Sequence, residues 1–282
     1  EAVEGAVPAY RGVAYLVFED LVLDPYGARP PNLNVEVFRR PRGPAPALED
    51  RVQSVCLIPG AGEFVYGTVP VLRQDGLTIT TPENVHTGQS AADLLASLDQ
   101  LQAAFPNLAH VALVVAWFGD DLRCGTCRLR PGVEQANKAT VPYAWSAGGV
   151  GRSGAHLISS YNGGPAFGGT PADAAVVAAI AELKRRGLGV TLYPFVLMDI
   201  PAGNALPDPY GGAAQGAYPW RGRITGFPAA GQPGSVDLTA SAAAQVASFF
   251  GTAAPADYAV NGTSVSYSGS DGWSYRRMIL HY

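Results

Sequence analysis

Two stretches of this chain are apolar almost without a break, and each follows a segment whose apolar residues recur at helical spacing. Ser90 to Ala104 places Leu94, Leu95, Leu98 and Leu101 on one stripe, with Ser90 as the expected N-cap and Asp93 three residues on. After Pro106 and Asn107, His110 to Phe118 reads as a strand buried on both faces, as strands of parallel sheets are. The order then repeats. Thr170-Pro-Ala-Asp173 has a capping-box pattern with Pro171 at the first helical position, where its missing N–H costs nothing. The predicted helix runs to Arg186 on a stripe of Val176, Val177, Ile180 and Leu183, and Gly187 stands where a helix end takes positive φ. Gly189 to Ile200 is the second apolar strand. A third helix is predicted over about 239–250, closed by Gly251, and a fourth from near Trp273, capped by Asp271. Helix, buried strand and long loop, repeated, predict a parallel α/β sheet or barrel.

The first 84 residues read differently. Ala9 to Leu23 is rich in β-branched and aromatic residues, and Leu33, Val35 and Val37 alternate with Asn34, Glu36 and Phe38. Arg39 to Ala47 reads as a Gly/Pro-rich linker, and Ser54 to Thr80 as several short strands. The expected organisation is a β-rich segment over 1–84 followed by a parallel α/β domain over 85–282. Glu1 is not a methionine, and Trp273 to Tyr282 reads as a helix in mid-course. The expectation is therefore a window on a larger polypeptide, with a further strand to follow the last helix.

Composition narrows the function classes. Charged residues make up 15% of the chain, against about 25% in average soluble domains. The 34 glycines and 23 prolines, alongside 10% aromatic residues, predict long structured loops rather than disorder. A net charge of −4 gives no electrostatic reason for a nucleic-acid or anionic-membrane partner. No apolar run reaches the length of a bilayer span, and three cysteines are too few for a disulfide scaffold.

Active sites of parallel α/β folds form at the carboxyl ends of strands. Here those ends are Trp117-Phe-Gly-Asp120-Asp121 and Met198-Asp199-Ile200. The loops after them far exceed the roughly 2–6 residues usual for such connections. They carry Cys124, Cys127, Arg128, Arg130, Glu134 and Trp145 in the first, and Asp208, Tyr210, Tyr218, Trp220, Arg221 and Arg223 in the second. Aromatic rings with fixed charges suit a carbohydrate, which makes Trp117, Trp145, Trp220 and Arg221 the candidate ligand-binding residues. Asp120 or Asp121 with Asp199 is the candidate catalytic pair for glycoside hydrolysis. The alternative has Asp120 and Asp121 capping the loop or pairing with Arg123, Arg128 or Arg130, and Asp199 tied to backbone. From residue 85 on only Glu134 and Glu182 occur, so no obvious proton donor of raised pKa is visible.

Other motifs add little. Cys124-Gly-Thr-Cys127 has CxxC spacing, open to a structural, metal or redox reading, with only Cys56 and His156 as loosely placed further zinc ligands. His86, His110, His156 and His281 share no spacing with Ser or Cys that predicts a triad. No cofactor or metal is predicted. Gly148 to Gly151 and Gly163-Gly164 follow no buried strand directly and read as loop.

Several stretches together resemble one family. Pro8-Ala-Tyr-Arg-Gly-Val-Ala-Tyr-Leu-Val-Phe-Glu-Asp-Leu21 and Pro31-Asn-Leu-Asn-Val-Glu-Val-Phe38 resemble a phage tail-hub segment. Trp117-Phe-Gly-Asp-Asp-Leu-Arg-Cys124, Arg130-Pro-Gly-Val-Glu134, Tyr193 to Asn204 and Pro219-Trp-Arg-Gly-Arg-Ile-Thr225 resemble a TIM-barrel-like domain. Both occur in the megatron-type baseplate protein of gene transfer agents and related siphophages of alphaproteobacteria. The resemblance implies a β-rich hub-like segment followed by an incomplete TIM-barrel-like domain, truncated at the C-terminus. It implies a virion protein at the tail tip, a homotrimer touching hub and distal tail proteins, acting in host attachment and cell-envelope penetration. The family's barrel is similar to glycoside hydrolases, which implies engagement of peptidoglycan or host surface glycan. The enzyme reading is hydrolysis of that glycan by the strand-end carboxylates.

Overall fold

A computed structural model describes Val22 and residues 47–58, 62–219 and 223–282. Apart from Val22, the strands expected in 9–23 and 33–38 lie outside the described residues, as do Trp220 and Arg221. Residues from Arg40 onward form one compact unit, and Glu1–Arg39 another.

The described elements begin with α1 (Leu48–Arg51), β1 (Ser54–Leu57), β2 (Leu72–Asp75), β3 (Thr78–Pro82), α2 (Asp93–Ala104) and β4 (His110–Gly119). Short pairings then structure the first long loop: β5 (Leu129–Arg130), β6 (Gly132–Val133), β7 (Ala139–Val141), β8 (Ser146–Ala147), β9 (Val150–Gly151), β10 (His156–Leu157), β11 (Ser160–Tyr161) and β12 (Gly164–Pro165). α3 (Asp173–Arg185) and β13 (Gly189–Met198) follow. After the second long loop come α4 (Ala240–Phe250), β14 (Tyr258–Asn261), β15 (Ser264–Tyr267) and α5 (Tyr275–His281).

The two apolar strands lie side by side and run the same way. β13 pairs with β4 in unbroken parallel register from Gly189 opposite His110 to Met198 opposite Gly119. β1 joins the other edge of β4, also parallel, with Ser54 opposite His110. The order β1-β4-β13 thus adds each later strand on the same side. The change of texture near residue 85 falls between β1 and the sheet it belongs to.

One face of this sheet is covered by helices. Leu94 and Leu98 of α2 and Ala175, Val176, Ala179 and Leu183 of α3 pack on Val111, Leu113 and Val115 of β4, with Val190 and Leu192 of β13 beside them. Each buried leucine contributes about 1.5–3 kcal/mol of transfer free energy. Val177, expected in the α3 stripe, is exposed, and Ala175 and Ala179 take the inner face instead. A second cluster gathers Trp117, Leu122, Leu129, Met198, Ile200 and Met278 at the carboxyl ends. β13, expected as a buried strand, leaves Tyr193 49% exposed. Among the described residues nothing pairs with its outer edge, so this strand borders the sheet.

Helix ends follow the sequence in part. Gly187 and Gly251 have φ of 77° and 73°, as helix-closing glycines do. Thr239 caps α4 through Ala242 N–H. Ser90 does not cap α2, whose N-cap is Ala92. The Asp93 carboxylate reaches back to accept from His86 and Thr87 N–H at 2.7 and 3.2 Å. Ser274, not Asp271, caps α5, accepting from Arg277 N–H while donating to Asp271 at 2.6 Å. Thr170 does not cap α3 either. Its hydroxyl accepts from Gly132 N–H at 2.8 Å and donates to the Ala116 carbonyl at 2.7 Å.

Candidate functional site

The β4 chain passes through Gly119 into Asp120 and Asp121 and turns back at once, as β5 pairs antiparallel with Phe118 and Gly119. Gly119 is needed there: a side chain would meet Met198 Sδ at 2.7 Å and Cys127 Sγ at 3.2 Å. Asp121, at the turn, is almost fully enclosed. It accepts from Arg123 through N–H at 2.8 Å and Nη2 at 2.6 Å, from Thr126 Oγ1 at 2.9 Å and from Gln215 Nε2 at 2.7 Å. Burial alone would raise this carboxyl, but the hydrogen bonds from Arg123, Gln215 and Thr126 outweigh it and hold Asp121 below the usual carboxylate range.

Asp199 follows β13, and its own N–H continues the ladder to the Gly119 carbonyl at 2.9 Å. Its carboxylate, also buried, meets His156 Nε2 at 2.6 Å and accepts from the Ser159 N–H at 2.9 Å and the Ser159 hydroxyl. Here too burial pushes up, and the His156 and Ser159 hydrogen bonds pull the carboxyl lower than they find it. The other imidazole nitrogen, Nδ1, faces Arg130 Nη2 at 3.4 Å. A guanidinium only donates, so Nδ1 accepts and Nε2 carries the proton given to Asp199. Arg130 lies 3.6 Å from Asp120, which also accepts from Arg128 N–H at 2.8 Å. A continuous polar chain thus links Asp120, Arg130, His156 and Asp199.

Asp121 pairs with Arg123, as the ion-pairing alternative has it, whereas Asp199 is held by the His156 and Ser159 side chains as well as by the Ser159 backbone. A glycosidase acid needs a carboxyl held above its ordinary pKa. Asp121 and Asp199 are held below it.

The aromatic expectations are corrected. Trp117 is a core side chain, 0% exposed, whose Nε1 donates to the Tyr282 hydroxyl. Trp145 is buried as well, its Nε1 donating to the Thr170 carbonyl at 2.8 Å. Neither ring has a face for a ligand. Tyr161 and Tyr210 are exposed aromatics of these loops, and Tyr161 packs edge-on against Tyr218 at 5.3 Å. Behind this pair, Phe167 and Phe118 lead down to His156.

All three cysteines are free, Cys56 exposed and Cys124 and Cys127 buried. Among the described residues no group of three or more His, Cys, Asp or Glu is placed to hold a metal ion, and no helix is long and apolar enough to cross a membrane.

No protein-family model and no curated protein matches this chain.

A second ionic cluster was invisible in sequence. Glu63, 0% exposed, receives Arg152 Nη1 and Nη2 at 2.8 and 2.7 Å and the Glu134 N–H at 2.8 Å. Lys138 Nζ sits among Glu63, Glu83 and Glu134 at 3.3, 2.8 and 3.2 Å. The only available hint was a lone glutamate in an otherwise apolar stretch, Glu63-Phe-Val-Tyr66. With Glu63 and Lys138 enclosed and Glu83, Glu134 and Arg152 only partly exposed, this cluster pins the first loop to the segment before β2.

Proposed function

We propose that the chain is a structural, host-facing component of a phage or phage-like tail tip, in which the strand-end carboxylates hold loops in place. The tail-tip assignment is supported by the resemblance of Trp117 to Cys124, Arg130 to Glu134 and Tyr193 to Asn204 to the megatron-type baseplate domain. Those segments supply Asp120, Asp121, Arg130 and Asp199, the side chains that tie the rim together. On this reading the expected partners are hub and distal tail proteins and further copies of the chain in a trimer, with glycan engagement at the rim.

One observation carries the choice between scaffold and hydrolase. Asp121 and Asp199 are buried, hydrogen-bonded and held below the ordinary carboxylate range, so neither serves as a proton donor near neutral pH. The test is Asp120→Asn, Asp121→Asn and Asp199→Asn in the complete protein, assayed on purified peptidoglycan and surface glycan. Any cleavage should be unchanged by all three. Loss of cleavage in a variant that stays folded would overturn the scaffold reading. Antibody labelling of intact particles away from the tail tip would overturn the tail-tip reading.

A further inference from the structure

Shielded arginines of this chain meet carboxylates. Arg123 pairs with Asp121, Arg130 with Asp120, Arg152 with Glu63, and Arg186 with Asp99 and Glu182. Arg277, in the first turn of α5, is different. It is only 9% exposed, yet no carboxylate of the described residues pairs with it. Of the five N–H donors of its guanidinium, one on Nη2 makes a long contact to the Gly148 carbonyl at 3.5 Å, and Nε is enclosed with no acceptor. The neighbouring Asp271 is already engaged, accepting from the Ser274 hydroxyl at 2.6 Å and the Ala253 N–H at 3.1 Å. Burial draws Arg277 below the ordinary arginine value, whereas the hydrogen bond to Asp121 raises Arg123.

What surrounds this guanidinium is aromatic. Its central carbon lies 3.7 Å from the Trp273 ring centroid and 4.0 Å from that of Tyr267. Each ring is supported by another, Trp273 by Trp117 and Tyr267 by Tyr258. The backbone of Arg277 is fixed as well, since its N–H donates to Ser274 Oγ and its carbonyl accepts from the Tyr258 hydroxyl at 2.7 Å. Ring faces attract the cation from above and below its plane. The N–H donors lie in that plane, so the rings leave them unpaired. Gly148 and Gly149 border the site and bring no side chain to it. At Gly272, next to Trp273, a side chain would meet nothing within 4 Å, so the approach on that side is open.

We propose that the Nη1–Nη2 edge of Arg277, held between Trp273 and Tyr267, is a binding site for the carboxylate group of a small organic acid. The charge and the unused donors call for an anion that accepts hydrogen bonds. The flat slot selects among such anions. A carboxylate received bidentately lies in the guanidinium plane and enters between the two rings, whereas a tetrahedral phosphate turns oxygens toward their faces. A fork already locked by aromatic contacts loses little further freedom when it binds. The site does not depend on the tail-tip reading and uses none of the strand-end carboxylates.

The test is NMR on the whole chain, following the Trp273 indole N–H and the Arg277 Nε–H while acetate replaces chloride at constant pH and ionic strength. Both signals should move saturably with acetate and stay in place with added chloride. Inorganic phosphate should bind at least tenfold more weakly than acetate. Arg277→Lys keeps the charge but loses the fork, and should weaken acetate binding at least tenfold. Should that variant fold poorly, Tyr267→Leu removes one wall of the slot and should also weaken binding. D-Glucuronate and succinate then tell a sugar acid from a free dicarboxylic acid, and tighter binding of either than of acetate supports the site. Four results would overturn it: no saturable shift with acetate, an equal response to chloride, phosphate binding as tight as acetate, or acetate binding that survives Arg277→Lys or Tyr267→Leu unchanged.

Discussion

Asp199 and His156 meet at 2.6 Å across 43 residues of chain, one at the end of β13 and the other in the loop that follows β4. Both are shielded from water, with side-chain exposures of 1% and 15%, so the contact is screened little by salt. Replacing His156 with alanine leaves the Asp199 carboxylate buried with Ser159 alone. The expected cost is about 1.5–3 kcal/mol, the size of a hydrogen bond to a charged group, and Asp199→Asn, which removes that charge, should cost about as much. Denaturant midpoints of the two variants and the double mutant give the coupling.

Acid should destabilise the chain through these carboxylates. The folded pKa values of Asp121 and Asp199 are depressed, so the folded state binds fewer protons than the unfolded one around its unfolded pKa of about 3.9. Their contribution is complete above that value and is lost as pH falls from about 5 toward the folded pKa values. The measurement is the urea midpoint across that range. Asp121→Asn should be less stable at neutral pH and should show a shallower acid limb.

Glu63 should be among the least replaceable charges. Glu63→Gln removes the charge that faces both Arg152 and Lys138 and should cost about 3–5 kcal/mol. Replacing Lys138 with methionine removes the cation that Glu63, Glu83 and Glu134 share, and a loss of similar size is expected. Thermal and denaturant unfolding of each variant check this.

Thr170 offers a test with a built-in control. Its buried hydroxyl bridges Gly132 N–H and the Ala116 carbonyl. Thr170→Val leaves both groups unpaired and should cost about 1–3 kcal/mol, whereas Thr170→Ser keeps the bridge and should cost much less.

Thiol labelling should be ordered. Cys56 is exposed, whereas burial and the nearby Asp120 charge push the Cys127 thiol up to about 12. A neutral alkylating reagent near pH 8 should modify Cys56 first, and Cys127 only when the chain unfolds. Prompt labelling of Cys127 in the folded protein would contradict its placement against Gly119 and Met198.

The parts of this fold that can be read along the chain are those that local pattern determines. β4, β13, α2 and α3 follow from runs and stripes of Leu, Val and Ala, and their parallel pairing from the order in which they occur. β1 is one of the short strands expected over 54–80, but four residues, Ser54-Val-Cys-Leu57, carry no period long enough to show that it joins β4. The expected caps differ for separate reasons: Gly132 and Ala116 take up the Thr170 hydroxyl, Ser274 and Ala253 N–H take up the Asp271 carboxylate, and α2 begins beyond Ser90, with Ala92 as its N-cap. Trp117 and Trp145 look like ligand platforms by type and position. Only the packing of Tyr282, Met278 and Thr170 around them reveals that they are interior. The partnership of Glu63 with Arg152 spans 89 positions and leaves no trace in any local window.

The carboxylates at the two strand ends cross over. Asp121, from β4, grips Gln215 in the loop after β13, while Asp199, from β13, grips His156 and Ser159 in the loop after β4. Neither flap can lift away without loosening the anchor of the other. Proteolytic nicking and local opening should therefore spread through both at a single threshold, as one cooperative latch rather than two hinged lids.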